Sequence, residues 1–166
     1  MLALGVSCRV RLLRPVVVAV LTRFDDDETR VGHLFTYRAD ANETPAMHLW
    51  NLVTQMRTAI QPLGLAAAVI RTADFNQRRA AADDAYKIRL RVEGAIAASL
   101  RETSPIVEIK TGHQIALLLG VSKENADSKG NDLVGPDFGE AAAAALAACV
   151  LAGAHLADDY FIDHVV

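Results

Sequence analysis

The chain has 166 residues, of which 52% are hydrophobic and 22% charged, so it is about one domain long and can bury a substantial core. This composition excludes an intrinsically disordered protein, and we expect one folded domain over residues 1–166. The formal net charge is −3, with two Lys/Arg against eight Asp/Glu in residues 111–166 and eight against six in residues 71–110. There is no dense basic tract, although local positive charge still permits contact with nucleic acid.

The two cysteines and the apolar segments indicate the cellular setting. Cys8 and Cys149 form no CxxC pair and have no histidine at ligand spacing, so neither a zinc site nor a disulfide framework is expected. This favours a reduced, cytoplasmic compartment. Arginines interrupt the first apolar stretch, which argues against a signal peptide, and the apolar segment at 141–156 is short for a bilayer span. We expect no membrane segment.

The first third of the chain has the pattern of three strands. Residues 2–6 and 16–21 are apolar runs, and residues 30–38 alternate between large and small or polar side chains. Pro15 predicts a break between the first two runs. The acidic run at 25–28 predicts a solvated hairpin turn before the third, with cation binding as the alternative. Together these segments predict an antiparallel meander.

The rest of the chain alternates between helix and strand. Thr44 as cap and Pro45 at the first helical position predict a helix that ends near Gln61. The later expected elements are a strand at 65–70, a helix at 86–102, a strand at 106–109, a helix or strand at 114–119 with helix preferred, a polar surface loop at 121–136 and a helix at 138–156. This order predicts an α/β protein with a mixed five-stranded sheet, an antiparallel meander followed by parallel strands, flanked by helices.

Three short segments carry a resemblance to a known family. They are residues 4–7 (LGVS), residues 67–71 (AAVIR) and residues 137–140 (DFGE), the last followed by an Ala-rich stretch. In order and texture the chain resembles RuvC-type Holliday-junction resolvases, which have a ribonuclease H-like fold. In that family an Asp follows the first strand, a second acid closes the strand after the first helix, and an Asp-x-x-Asp begins the last helix.

The resemblance implies a catalytic and metal site that is incomplete in this chain. Asp137 and Glu140 match the last acid pair, but Ser7 and Arg71 stand at the other two acid positions. Two-metal phosphodiester hydrolysis needs several carboxylates around the cations, because Mg²⁺ takes hard oxygen ligands. Asp137 and Glu140 have a second interpretation, since an acid at a helix start with Glu three residues later also forms a capping arrangement.

Two functions are compatible with this pattern. The first is a RuvC-like protein without nuclease activity or cofactor, which acts as a structural, protein-binding or weak nucleic-acid-binding module. The alternative is a divergent endonuclease or resolvase that uses Mg²⁺ or Mn²⁺, with additional ligands from Asp74 and from a C-terminal cluster. That cluster consists of His155, Asp158, Asp159, Asp163 and His164, and a polar chain terminus explains it equally well.

The sequence also suggests partners and one internal contact. Four basic residues near the second long helix are candidate nucleic-acid contacts, or alternatively a solvated face: Arg78, Arg79, Lys87 and Arg89. Because resolvases of this type resemble twofold assemblies, we expect a homodimer, with Trp50 or Met56 on its apolar helix face. Arg71 is expected to pair with Asp137 or Glu140 and to replace the positive charge of the metals.

Overall fold

A computed structural model describes residues 1–25, 28–74 and 84–153 of the chain, with the side chain of Glu28 left out. Three predicted features lie outside the described residues: the middle of the acidic run, the pair Arg78 and Arg79, and the C-terminal Asp/His cluster. The expectations for them stay predictions.

Five strands form one mixed sheet in the order β3-β2-β1-β4-β5. Their bounds are β1 Leu2–Arg11, β2 Arg14–Asp25, β3 Glu28–Arg38, β4 Ala67–Arg71 and β5 Ile106–Lys110. β2 pairs antiparallel with both β1 and β3, whereas β4 runs parallel to both β1 and β5. The predicted fold class, a meander followed by parallel strands, is confirmed.

The strands of the first hairpin extend beyond the apolar runs at 2–6 and 16–21 that predicted them. A two-residue turn at Leu12 and Leu13 joins β1 to β2, and both residues have positive φ, 50° and 59°. Two consecutive positive φ values match the twist of the flanking strands. Pro15 therefore lies inside the ladder, opposite Val10, and does not break the chain. The consequence is that β1 continues through Arg9 to Arg11.

Five helices cover the sheet in the described ranges. They are α1 Pro45–Ile60, α2 Asp84–Arg101, α3 Gly112–Leu119, α4 Lys123–Val134 and α5 Gly139–Leu151. The cap of α1 is confirmed, because the Thr44 hydroxyl accepts a hydrogen bond from the Met47 amide at 3.3 Å. The preference for helix at 114–119 is also confirmed, and α3 begins with a capping box of Thr111 and Gln114.

The predicted surface loop at 121–136 is wrong, because most of it forms α4. Its residues are polar and poor helix formers, yet the Ser122 hydroxyl caps the helix by accepting from the Asn125 amide at 3.1 Å. Ala126 and Gly130, four residues apart, are buried. A Cβ added to Gly130 would lie 2.9 Å from the carbonyl carbon of Gly139, so α4 packs directly on the start of α5. Tertiary packing holds a helix that local propensity does not favour.

The sheet separates two packed layers. Leu4, Val6 and Cys8 of β1 lie in the core with α1 and α2, whereas Ala3 lies in the core with α3, α4 and α5. Because side chains alternate along a strand, the odd-numbered residues of β1 face α5. Helix α5 rests on β1 at Gly5, where an added Cβ would lie 2.8 Å from the Cα of Ala145. Ser7 and Arg9 therefore follow Gly5 on the α5 face.

In the described part of the chain, no single helix is long and apolar enough to cross a membrane. Among the described helices, the pair α4 and α5, with a bend of 105° between them, meets the criteria of length and composition when taken together.

Candidate functional site

Ser7 and Arg71, the two positions where the resemblance implies acids, meet side by side. They are direct partners in the parallel register between β1 and β4, so both side chains lie on the same face of the sheet. Only 2% of Ser7 and 3% of Arg71 is exposed to solvent. The sheet thus brings the two predicted positions together, but it places a hydroxyl and a guanidinium there.

Arg71 is held by a carboxylate that the sequence did not suggest. Its guanidinium donates two hydrogen bonds to Asp127 of α4, Nη1 to Oδ1 at 2.9 Å and Nη2 to Oδ2 at 3.3 Å. Gly112, the first residue of α3, makes room for it, since a Cβ there would lie 2.6 Å from the Arg71 Cζ. The predicted pairing with Asp137 or Glu140 is wrong because α4 supplies a closer acid.

Asp74, the proposed spare metal ligand, belongs to the same network. Lys123 Nζ lies 3.5 Å from an oxygen of Asp74 and 3.6 Å from an oxygen of Asp127. Positive and negative groups therefore alternate from Arg71 through Asp127 and Lys123 to Asp74. Each acid already has a cationic partner, so a metal ion at Asp74 would have to compete with Lys123.

A second buried ion pair secures the end of β4 from the α2 side. Arg89 Nε donates to Glu93 at 2.6 Å, and Arg89 Nη2 donates to the carbonyl oxygen of Arg71 at 3.0 Å. The other oxygen of Glu93, which is 2% exposed, accepts from the Thr72 hydroxyl at 2.8 Å. Arg89 therefore joins α2 to β4, and this placement does not support its predicted contact with phosphate.

Lys87, another predicted phosphate contact, is exposed at the start of α2. Its Nζ lies 3.1 Å from Asp84, one turn away. This is the balanced, solvated pair of the alternative interpretation, and such an exposed contact is weak enough to leave the lysine available. Its role in nucleic-acid binding stays a prediction.

Asp137 and Glu140 share a face at the start of α5, as their spacing predicts, and that face is turned to Arg9. Asp137 Oδ1 lies 3.8 Å from Arg9 Nη1, and Glu140 Oε2 lies 3.6 Å from Arg9 Nε. The capping interpretation of Asp137 is wrong, since the cap residue is Phe138 and no side chain caps the helix. The two acids are thus a pair around an arginine of β1.

A small recessed cavity opens beside this pair. Its volume is about 90 Å³, and it is lined by Ser7, Arg9, Arg11, Val16, Val18, Thr36, Arg38, Asp137 and Phe138. The ring of Phe138 packs against His33 of β3, with ring centroids 4.8 Å apart. Three of the lining side chains are arginines and one is an acid.

These residues do not fit a pair of divalent cations. In residues 1–25, 28–74 and 84–153 no group of three or more His, Cys, Asp or Glu side chains is placed to hold a metal ion. Of the four positions that the resemblance implies, only Asp137 and Glu140 are acids, and both contact Arg9. The guanidinium of Arg71 would repel a cation beside Ser7.

The cysteines offer no alternative nucleophile or ligand. Burial raises the pKa of the Cys8 thiol to about 12, with a smaller opposing effect of Arg89 and a further increase from Glu93. Burial also raises the pKa of Cys149 to about 11. Both groups are neutral thiols near pH 7, whereas nucleophilic attack and metal binding require the thiolate.

Comparison with known proteins places the fold. No protein-family model matches the sequence, and no curated protein does. The chain is similar to the solved structure of Thermus thermophilus RuvC, with a TM-score of 0.65 and 16% identity over 92% of this chain and 95% of that one. It is also similar to T. thermophilus RuvC in complex with a Holliday junction substrate, with a TM-score of 0.67 and 12% identity over the same shares of the two chains. The chain therefore has the ribonuclease H-like fold of RuvC, as the three sequence segments predicted.

Proposed function

We propose that this protein is a RuvC-like nucleic-acid-binding module that has no nuclease activity. The observation that carries the proposal is the direct pairing of Ser7 in β1 with Arg71 at the end of β4. A hydroxyl cannot supply the bridging carboxylate that two-metal hydrolysis requires, and a buried guanidinium adds positive charge where cations would have to bind.

Nucleic acid is the ligand that the face of the sheet favours. Arg9, Arg11 and Arg38 lie around the cavity beside Ser7, and Arg residues contact phosphate oxygens through charged hydrogen bonds. The structural likeness to RuvC, which has been solved with a Holliday junction substrate, supports the same class of ligand. The net charge of −3 predicts modest affinity, because phosphate binding depends on local positive charge and weakens with salt.

The test is a cleavage and binding assay on one preparation of protein. Four-way junction and linear DNA are incubated with the protein in Mg²⁺, in Mn²⁺ and in EDTA. We expect no cleavage in any buffer, and binding that persists in EDTA and is at least as tight there as in Mg²⁺, because Mg²⁺ competes for the phosphates. Robust cleavage that disappears in Asp137→Asn would overturn the proposal in favour of a divergent metal-dependent nuclease.

We also propose a homodimer, but only Trp50 of the two candidate interface residues can contribute to it. Met56 is fully buried in the core and has no surface to offer. Trp50 is 66% exposed, and Met47 on the same face of α1 is 46% exposed. Light scattering at micromolar concentration should give twice the chain mass of 17.8 kDa, and Trp50→Glu should reduce it to the monomer. A monomer of the unmodified chain would contradict this part.

A further inference from the structure

Three arginines on the α5 face of the sheet have more positive charge than their surroundings neutralise. Arg9, Arg11 and Arg38 line the same cavity as Asp137. Arg9 contacts Asp137 and Glu140, but at 3.8 and 3.6 Å, beyond the usual length of a hydrogen bond. Within the described residues, Arg11 and Arg38 have no ion pair or side-chain hydrogen bond. The cluster is therefore ready to accept an anion.

The strand register explains why these side chains converge. Arg9 is the partner of Val16 on β2, and Val16 is the partner of Arg38 on β3, so the two arginines flank one valine on a single face. Neighbouring strands are about 4.8 Å apart, which puts the two arginine backbones about 10 Å apart, on opposite sides of the cavity. Arg11 follows Arg9 by two residues and points to the same face, about 7 Å further along β1. Long side chains on these three sites can reach one ligand placed over Val16.

The neutral lining of the cavity suits a phosphate as well. Ser7 closes the inner end, and its hydroxyl can donate to a phosphate oxygen, whereas the acid expected at that position would repel one unless metals lay between. The Thr36 hydroxyl is fixed by a 2.8 Å contact with His33 Nε2. The ring of Phe138 forms the wall toward α5.

Size and charge select a terminal phosphate over an internal one. The cavity of about 90 Å³ is a small recess, which a terminal group can enter from one side. An internal phosphodiester has two bulky substituents and a single charge. A phosphomonoester has one substituent and a charge near −2 at neutral pH, since its second pKa is about 6. Three arginines against Asp137 and Glu140 leave an excess of one positive charge, which attracts a doubly charged phosphomonoester more strongly than a singly charged diester.

We propose that this cavity binds the terminal phosphate of a nucleic-acid strand through Arg9, Arg11 and Arg38. The inference rests on the proposed function for its choice of nucleic acid, and in it arginine side chains bind the phosphate directly. No covalent step is involved.

The test compares two oligonucleotides that differ only at one end. A short labelled single strand with a 5′-phosphate and the same strand with a 5′-hydroxyl are titrated with the full chain in EDTA, and binding is followed by fluorescence anisotropy. We expect the phosphorylated strand to bind about tenfold more tightly or better, as charged hydrogen bonds to arginine imply. Equal affinity for the two strands would overturn the inference while leaving the proposed function intact.

Variants locate the preference without endangering the fold, because the side chains involved are exposed. Arg11→Gln and Arg38→Gln should each remove most of the preference for the 5′-phosphate. Arg14→Gln is the matched control, since Arg14 is the strand partner of Arg11 but lines a separate cavity between the first hairpin and helices α1 and α2. A preference that survives Arg38→Gln, or is lost equally in Arg14→Gln, would contradict the assigned site.

A phosphoserine peptide distinguishes the source of the phosphate. If the peptide binds as tightly as the phosphorylated strand and also depends on Arg38, the choice of nucleic acid is overturned. If it binds much more weakly, the choice is supported. Nuclease activity in Mg²⁺ would defeat the proposed function but would not alter a preference for the 5′-phosphate measured in EDTA, so the two failures are separable.

Discussion

Two arginines flank Ser7, each beside carboxylates, and they differ in nearly every physical respect. Arg71 has 4% of its side chain exposed and makes a two-bond contact with Asp127 at 2.9 and 3.3 Å. Arg9 is 33% exposed, and its contacts with Asp137 and Glu140 are 3.8 and 3.6 Å long. An arginine–carboxylate pair therefore stabilises the fold on the α4 side, whereas on the α5 side it is a weak contact that a ligand can displace. Burial and geometry cause this difference.

The two sides of the site also differ in how much of their positive charge is available to a ligand. On the α4 side, Arg71, Asp127 and Lys123 satisfy one another and leave little charge for a ligand. On the α5 side, Arg9 is weakly held and two further arginines have no partner in the described chain. We infer that positive charge stabilises the fold at one end of the site and is available for binding at the other.

The largest expected effect is that of Arg71→Ala. Removing the buried Arg71 leaves Asp127, which is 29% exposed, with only Lys123 as a cationic partner, so we expect the free energy of unfolding to fall by about 2–3 kcal/mol. Urea denaturation measures this directly. The double variant Arg71→Met with Asp127→Leu removes both charges and should recover much of the loss. A loss below about 1 kcal/mol in Arg71→Ala would show that the pair is no more important than an exposed one.

A smaller effect on the free energy of unfolding is expected for Gly112→Ala, and here the sign of the change is the informative result. Replacing Gly by Ala inside a helix usually stabilises it by up to about 1 kcal/mol. Here the new Cβ would lie 2.6 Å from the Arg71 Cζ, and we expect a loss of about 1–3 kcal/mol instead. Thermal or urea denaturation detects the difference.

Two matched variants sharpen this result. Gly94→Ala on α2 has nothing within 4 Å of the added Cβ and should stabilise the protein. In the background of Arg71→Ala, the cost of Gly112→Ala should shrink, because the guanidinium is gone and the remaining close contact, Lys123 Cε at 2.7 Å, belongs to a flexible side chain that can move. Equal costs in the two backgrounds would contradict the proposed path of the Arg71 side chain past Gly112.

The smallest effect is expected for Arg9→Gln. An exposed contact without direct hydrogen bonds contributes about 1 kcal/mol or less, and 1 M salt should remove what is present. Urea denaturation at low and high salt checks this. A loss as large as that of Arg71→Ala would eliminate the contrast between the two sides of the site.

Much of the fold could be predicted from local patterns. Apolar runs at 16–21 and 65–70 and the Thr44 cap with Pro45 are strong local signals, and each lies in or at the start of the expected element. Helix α4 could not be recognised by its hydrophobicity, since it is polar along most of its length. Its local signals are the Ser122 cap and the four-residue spacing of Ala126 and Gly130, and the meaning of that spacing depends on α5 packing against it.

The candidate site was predictable only in part, for a related reason. The register that joins Ser7 to Arg71 follows from two apolar strands, and sequence texture located both. The partner of Arg71 is 56 positions away on the unrecognised helix, so no local pattern could identify Asp127. In the sequence, Arg9 and Arg11 are recognisable only as interruptions of an apolar stretch, because their place in β1 depends on the tight turn at Leu12 and Leu13.

Arginine side chains lie around Ser7, where the resemblance to resolvases implies a metal site. The most direct measurement is a crystal structure of the protein soaked in Mn²⁺, with anomalous scattering used to locate the ion. The account predicts no manganese within coordinating distance of Asp137 or Glu140, and Arg71 still paired with Asp127. A manganese ion bound by Asp137 and Glu140 next to Ser7 would contradict it.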